Sequence, residues 1–197
     1  MKRASMMTGV LCLALMECLV QPAVAQEAKK QEAKKEAPAA KPAGERASIV
    51  FQIDQAREKL LSLAEAMPAE KFAWRPAEGV RSVGEVFAHV SGANYFLPTF
   101  WGAKIPAGVD PRGFEKEGGD KAKTIATLKA SFEFLQQQIQ AVPDADLTRA
   151  IKMFGHDATV ADAMLTLASH AHEHLGQSIA YARMNGVTPP WSAQGGQ

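Results

Sequence analysis

Residues 159–186 read TVADAMLTLASHAHEHLGQSIAYARMNG and form one long amphipathic pattern. Thr159 is the expected N-cap, and Gly186 is the expected stop signal. The apolar positions recur mostly three or four residues apart, which places them on one face of an α-helix; they are Val160, Ala163, Met164, Leu167, Ala171 and Ala182. The stretch therefore predicts a helix that ends near residue 185.

Three stretches upstream repeat the same periodicity. They cover residues 49–67, 82–97 and 125–142. The second opens with Ser82 and Glu85, the Ser-x-x-Glu pattern of a capping box. Four amphipathic helices in one short chain predict an all-α domain built as a four-helix bundle.

The connections between these helices are long. About 14 residues follow the first predicted helix and nearly 20 follow the second. Links of that length permit a long crossover connection, so a simple up-down-up-down order does not follow. Alternation typical of a strand is confined to a short segment, residues 150–154.

Composition narrows the class of protein. The chain has 197 residues with a formal net charge of +1, so we expect one folded domain and no basic face for nucleic acid. Its two cysteines are Cys12 and Cys18. Both fall in the leader described next, so a metal in the folded part must be held by imidazole, carboxylate or water.

The first 44 residues have the composition of a targeting segment and a tether. Lys2 and Arg3 precede an apolar stretch, and Ala23-Val24-Ala25 supplies the small-x-small pattern of a cleavage site. We therefore expect a signal peptide at residues 1–25 and export to the periplasm or beyond. The apolar stretch is short for a membrane span of about 20 residues, so no integral membrane contact is expected after cleavage. Residues 26–44 are rich in Glu, Ala, Lys and Pro and predict a disordered tether to a domain at 45–197.

Histidines are the candidate chemical groups. His170 and His174 are four residues apart on the predicted fourth helix, about 40° apart around its axis, so they point the same way. His172 lies about 200° from His170 and should face away. His89 borders the apolar stripe of the second helix and is the natural third member. These three could hold one metal ion, or they could be ordinary hydrogen-bonded residues at the edge of the core. His156 is expected in a loop.

Two runs resemble a known family. Residues 74–89 read WRPAEGVRSVGEVFAH, and residues 170–177 read HAHEHLGQ. In this order they are similar to the second and fourth helices of DinB/YfiT-like proteins. The resemblance implies a four-helix bundle in which His89, His170 and His174 bind one divalent metal ion, whether Zn, Ni, Fe or Mn. Many relatives have histidine directly before the last ligand, where this chain has Glu173.

The resemblance implies more than one function. A metal-dependent hydrolase of an unknown small-molecule substrate is the first, and a metal-dependent thiol S-transferase or isomerase is the second. Export weakens the second, because the relevant thiols are mainly cytosolic. A non-enzymatic metal-binding or partner-binding bundle, including a homodimer, also stays open.

Residues that could assist the metal are less clearly marked. Gln177 shares the face of the histidine pair and could hydrogen-bond a ligand. No catalytic base is assigned, since the nearby carboxylates are as well explained by capping or surface positions; they are Asp54, Glu58, Glu85 and Glu173. The aromatic residues near the end of the second helix could line a pocket, form an interface or pack in the core; they are Tyr95, Phe96, Phe100 and Trp101.

Overall fold

A computed structural model describes residues 44–193. It confirms the four-helix bundle, with α1 at Glu45–Ala66, α2 at Val83–Phe96, α3 at Lys121–Gln140 and α4 at Val160–Met184. A short α5 at Pro190–Ala193 follows, and a hairpin of β1 (Ala150–Met153) and β2 (His156–Thr159) precedes α4. The signal peptide and all but the last residue of the tether lie outside the described residues.

Capping boxes fix where α2 and α4 begin. The Ser82 side chain accepts from the Glu85 backbone N–H, and the Glu85 carboxylate accepts from the Ser82 N–H at 2.7 Å, as the sequence predicts. Thr159 and Asp162 form the same reciprocal pair at α4. Each box satisfies backbone donors that the first turn of a helix leaves unpaired. Together they fix the starts of the two helices that carry the candidate histidines.

Helix directions follow from contacts between the helices. Arg46 at the start of α1 donates to the carbonyl of Ile139 at the end of α3, so these two helices are antiparallel. In α2 and α3, Ala88 lies beside Thr124 and Asn94 donates to Ser131, so these two run parallel. The parallel pair can be joined only by a connection that returns along the bundle.

That connection is the crossover, defined as residues 97–120. In α2, His89 meets His170 of α4, while Ala93 lies with Thr166 on one cavity wall, so α2 and α4 are antiparallel. The bundle order is therefore up, down, down, up, and α1 and α2 each pack mainly on both α3 and α4. The expected long crossover connection is confirmed.

Small residues on α2 receive the returning crossover. A Cβ built on Gly84 would meet the carbonyl oxygen of Gly118 at 1.6 Å, and one on Gly92 would meet that of Pro111 at 2.9 Å. Ala88, between them at four-residue spacing, is buried. Residues four apart share a helix face. The backbone of the crossover therefore lies directly on this face of α2.

The hairpin before α4 has a two-residue turn. Phe154 and Gly155 both have positive φ, 51° and 85°, between the paired residues Met153 and His156. Positive φ at both positions is the conformation of a type I′ turn. The sequence marked only the first strand, residues 150–154. The second strand escaped because His156–Thr159 has an exposed-to-intermediate pattern without apolar alternation.

Two further features concern the surface of the bundle. Trp191 packs against the core, with the Lys59 ammonium 5.7 Å from its ring centroid. Between residues 44 and 193, the helices are too short or too polar to cross a bilayer.

Replacing Gly84 with Ala should lower the free energy of unfolding by at least about 2 kcal/mol, because the new methyl group would overlap the Gly118 backbone. Gly176 in α4 is the matched control, since a Cβ there meets nothing within 4 Å. Gly176→Ala should raise the free energy by about 0.5–1 kcal/mol, the usual gain in a helix. Urea unfolding measures both, and equal stability of the two variants would contradict the packing described.

Candidate metal centre

Three histidines from two helices converge. His89 comes from α2, while His170 and His174 come from successive turns of α4. Their candidate ligand atoms all lie within 4.8 Å of one another, and Nε2 of His89 is 3.2 Å from Nε2 of His170. The structure thus brings together the three residues that the sequence singled out.

Hydrogen bonds orient two of the rings. Nδ1 of His89 lies 2.9 Å from a carboxylate oxygen of Glu115, and Nδ1 of His174 lies 2.8 Å from the Gln177 side-chain oxygen. Both oxygens accept, so with neutral rings each Nδ1 donates its N–H and each Nε2 keeps a free lone pair. Gln177 in turn donates to the Tyr181 hydroxyl at 3.0 Å. The expected hydrogen bond between Gln177 and a candidate ligand is confirmed, with Gln177 as the acceptor.

His170 is the least satisfied of the three rings. Its Nδ1 is buried and has no hydrogen-bond partner among residues 44–193. Its Nε2 faces that of His89, whose proton is already placed on Nδ1. Facing lone pairs repel unless a cation or a proton lies between them. Three imidazoles in this arrangement fit a divalent ion such as Zn, Ni, Fe or Mn, which accepts nitrogen ligands.

Burial favours the neutral form of His170 and His89. It lowers the pKa of His170 to about 4, helped by the nearby His174, His89 and Arg81. Burial also lowers the pKa of His89, against the opposing hydrogen bond to Glu115. Neutral imidazole is the form that binds a metal ion. The site therefore presents unprotonated nitrogen at neutral pH.

Glu115 links the crossover to the histidines. Its second oxygen accepts from Nε of Arg81 at 2.9 Å, so both oxygens are engaged. Burial alone would raise the pKa of Glu115, but the hydrogen bonds from Arg81 and His89 outweigh it and the pKa is lowered. Sequence reasoning missed Glu115, because it lies in a short 3₁₀ segment of the crossover without helical periodicity.

The other histidines lie apart from this group. His172 is exposed, and its Nε2 lies 3.1 Å from the carbonyl oxygen of Gln52 on α1, so it faces away as expected. His156, expected in a loop, is instead the first residue of β2, where it is exposed and pairs with Met153 across the two-residue turn. Neither belongs to the group of three histidines.

Carboxylates considered as helpers are engaged elsewhere or exposed. Glu85 caps α2 and pairs with Arg75 at 2.9 Å, and its pKa is lowered because hydrogen bonds from Ser82 and Arg75 outweigh burial. Asp54 accepts from Gln136 across to α3 at 2.7 Å. Glu173 is exposed on α4. These contacts give none of them a place beside the imidazoles.

A cavity of about 810 Å³ opens beside the histidines. His89 and His170 form part of its wall, together with residues of α2, the crossover, the hairpin and α4. Its apolar lining includes Ala93, Phe96, Leu97, Ile105, Pro111 and Phe154. The volume is in the range of pockets that hold a small organic ligand.

The aromatic residues near the end of α2 divide between core and cavity. Tyr95 and Trp101 are buried in the bundle. Phe96 lines the cavity, and Phe100 packs edge-on against Phe154 with ring centroids 4.9 Å apart. Two of the three interpretations offered by the sequence, core packing and a pocket wall, therefore apply to different members of this group, and the interface stays a prediction.

Comparison with known proteins agrees with this geometry. The family model of the DinB superfamily matches residues 52–178, a range that includes all three histidines. The chain belongs to the DinB superfamily. No curated protein matches it.

Solved structures show the same fold at low identity. A DinB-like protein from Bacillus cereus ATCC 10987 aligns with a TM-score of 0.63 and 19% identity, over 73% of this chain and 94% of that one. YfiT from Bacillus subtilis aligns with a TM-score of 0.57 and 15% identity, over 73% and 89%. YfiT is described as a probable metal-dependent hydrolase with an unusual four-helix bundle topology. At these identities the likeness shows the fold alone.

Acid should destabilise the metal-free protein through His170. Its pKa is about 4 when folded, against an ordinary value of 6.5. Between these values the unfolded chain binds a proton that the folded chain excludes, so the free energy of unfolding falls as the pH falls. Above pH 6.5 both states are neutral and the effect vanishes.

Urea unfolding in a chelator, at several pH values between 7 and 4, measures this effect. His170→Asn should show a shallower dependence than wild type. His172→Asn, which changes an exposed ring, should match wild type. An unchanged slope in His170→Asn would contradict the burial argument.

Proposed function

We propose that the protein binds one divalent metal ion through His89, His170 and His174 and acts as a metal-dependent hydrolase of a small substrate. The supporting observation is the place of the group: of the three converging imidazoles, those of His89 and His170 line a cavity of about 810 Å³. A purely structural ion would not require an open cavity beside it. Three protein nitrogens also leave coordination positions for water or substrate.

The residues of the chain have separable tasks in this proposal. Glu115 and Gln177 hold Nδ1 of His89 and of His174, so that each ring turns its Nε2 toward the common point. The apolar cavity wall shelters the bound substrate from bulk water and places it beside the imidazoles. With a divalent ion in place, the chemistry supplied is Lewis-acid activation of water and of the substrate's polarised oxygen.

Cell location and partners belong to the same proposal. We propose that residues 1–25 direct export and that the domain works outside the cytoplasm on a small molecule. The near-neutral charge of the whole chain, +1, supports a small molecule over nucleic acid.

Elemental analysis should find about one divalent ion per purified chain. His170→Ala should abolish this stoichiometry, because it removes one of three ligands, while helical circular dichroism stays close to wild type. The control is His172→Ala, which removes an exposed imidazole two residues away and should keep the ion. Equal metal content in the two variants would overturn the assignment of the site.

Activity of the metal-loaded protein should appear in a panel of small esters and amides and disappear on chelation. His174→Ala should be inactive in the same panel, since it lacks a ligand. A parallel panel tests whether the protein joins low-molecular-weight thiols to electrophiles. Turnover confined to the thiol panel would replace hydrolysis with thiol transfer, and full metal content without turnover in either panel would leave a non-enzymatic binding protein.

A further inference from the structure

Most polar side chains on the cavity wall already form hydrogen bonds within the protein. The Thr166 hydroxyl donates to the Asp162 carbonyl at 2.8 Å, and the Thr99 hydroxyl donates to the Phe96 carbonyl at 2.6 Å. The Glu115 carboxylate accepts from both Arg81 and His89. The two hydroxyls therefore keep acceptor capacity but have no free donor for an anionic ligand.

Asp110 is the other carboxylate on this wall, and its own turn engages it. One oxygen accepts from the backbone N–H of Arg112 at 3.1 Å. The other lies so near Gly113 that a Cβ there would be 2.9 Å from it. The Asp110 carboxylate therefore faces the backbone of residues 112–113.

Arg112 differs from these groups. Its side chain lines the cavity from the crossover, three residues before Glu115. Within residues 44–193, its guanidinium makes neither a hydrogen bond nor an ion pair. Arginine is the side chain best shaped to hold a carboxylate through two parallel hydrogen bonds. It is the cation on the wall whose donors are free for a ligand.

The rest of the wall favours an apolar ligand body. Phe96 and Phe154 are large apolar side chains left 41% and 61% exposed, and Leu97 and Ile105 continue the same surface. Phe154 holds a positive φ of 51°, a conformation that bulky residues rarely adopt. An apolar ligand would cover these exposed rings.

We infer that the substrate has an apolar body and one anionic group, with the anion on Arg112 and the hydrolysable bond facing His89 and His170. The reacting bond in this inference rests on the proposed function, whereas the anion contact does not require the metal. A cationic substrate is disfavoured, because it would meet the free guanidinium, while Glu115 is already paired with Arg81 and His89 and Asp110 accepts from the Arg112 backbone N–H. A neutral one would leave the guanidinium without a partner from the ligand.

The test is calorimetric titration of the full chain, metal-loaded and again after chelation, with three probes of one chain length. They are octanoate, octanamide and octyltrimethylammonium. Octanoate should bind most tightly in both metal states. Arg112→Gln should weaken octanoate about tenfold, which corresponds to 1.4 kcal/mol and is typical of one charge-assisted hydrogen bond, and should leave octanamide unchanged.

Lys104→Gln is the matched control. It removes one exposed positive charge from the same crossover, three residues after the end of the Leu97–Trp101 segment, at a position outside the cavity lining. Octanoate should bind this variant as it binds wild type. An equal loss of octanoate affinity in both variants would show only a general attraction to positive charge. It would overturn the proposed contact with Arg112.

Other outcomes also decide against the inference. Octanoate binding that needs the metal and ignores Arg112→Gln would place the carboxylate on the ion instead. Three results would each contradict an anionic, amphiphilic substrate. They are equal binding of octanamide, tighter binding of octyltrimethylammonium, and no binding of any probe. Failure of the proposed function looks different: metal content and hydrolysis are absent while octanoate still binds the metal-free protein.

Discussion

The close backbone contact between α2 and the crossover is the constraint on which the site depends. Because α2 and α3 run parallel, residues 97–120 must return along the bundle, and Gly84 lets Gly118 approach without a side chain between them. This path carries Glu115 to His89 and places Arg112 on the cavity wall. Widening the contact by one methyl group would move the chain segment that orients a candidate ligand and forms much of the pocket.

The electrostatics of the site disfavour protonation of His170 and leave its nitrogen available to a metal cation. Burial of His170 lowers its pKa, and Arg81 adds a repulsive positive charge. The Arg81 charge is held by Glu115, which also accepts from His89, so one carboxylate serves both groups. Among residues 44–193, the buried Nδ1 of His170 still has no partner, which costs about 1–3 kcal/mol for such a group. The arrangement of the three candidate metal ligands thus lowers the stability of the metal-free fold.

Regular periodicity explains which parts were predictable from the sequence. Helix faces placed His170 and His174 together and turned His172 away, and a capping box located the start of α2. Helix directions, the partner of Asp54 and the second strand depend on contacts distant in sequence. Glu115 lies in a segment without periodicity, and the residue that it hydrogen-bonds is 26 positions away in the sequence. No local pattern could therefore indicate its role.

The proposed metal binding and substrate selection therefore arise from different kinds of structure. The three histidines stand on long helices, whose geometry is shared by remote members of a fold. The cavity wall opposite them is made largely from the crossover and from Phe154 at the hairpin turn, where loop length and sequence vary freely. Relatives at 15–19% identity share the helices with this chain, but their substrates do not follow from that likeness. Its own specificity must be argued from two features of this wall. One is the strained turn that carries Phe154, and the other is Arg112, whose guanidinium has no partner among residues 44–193.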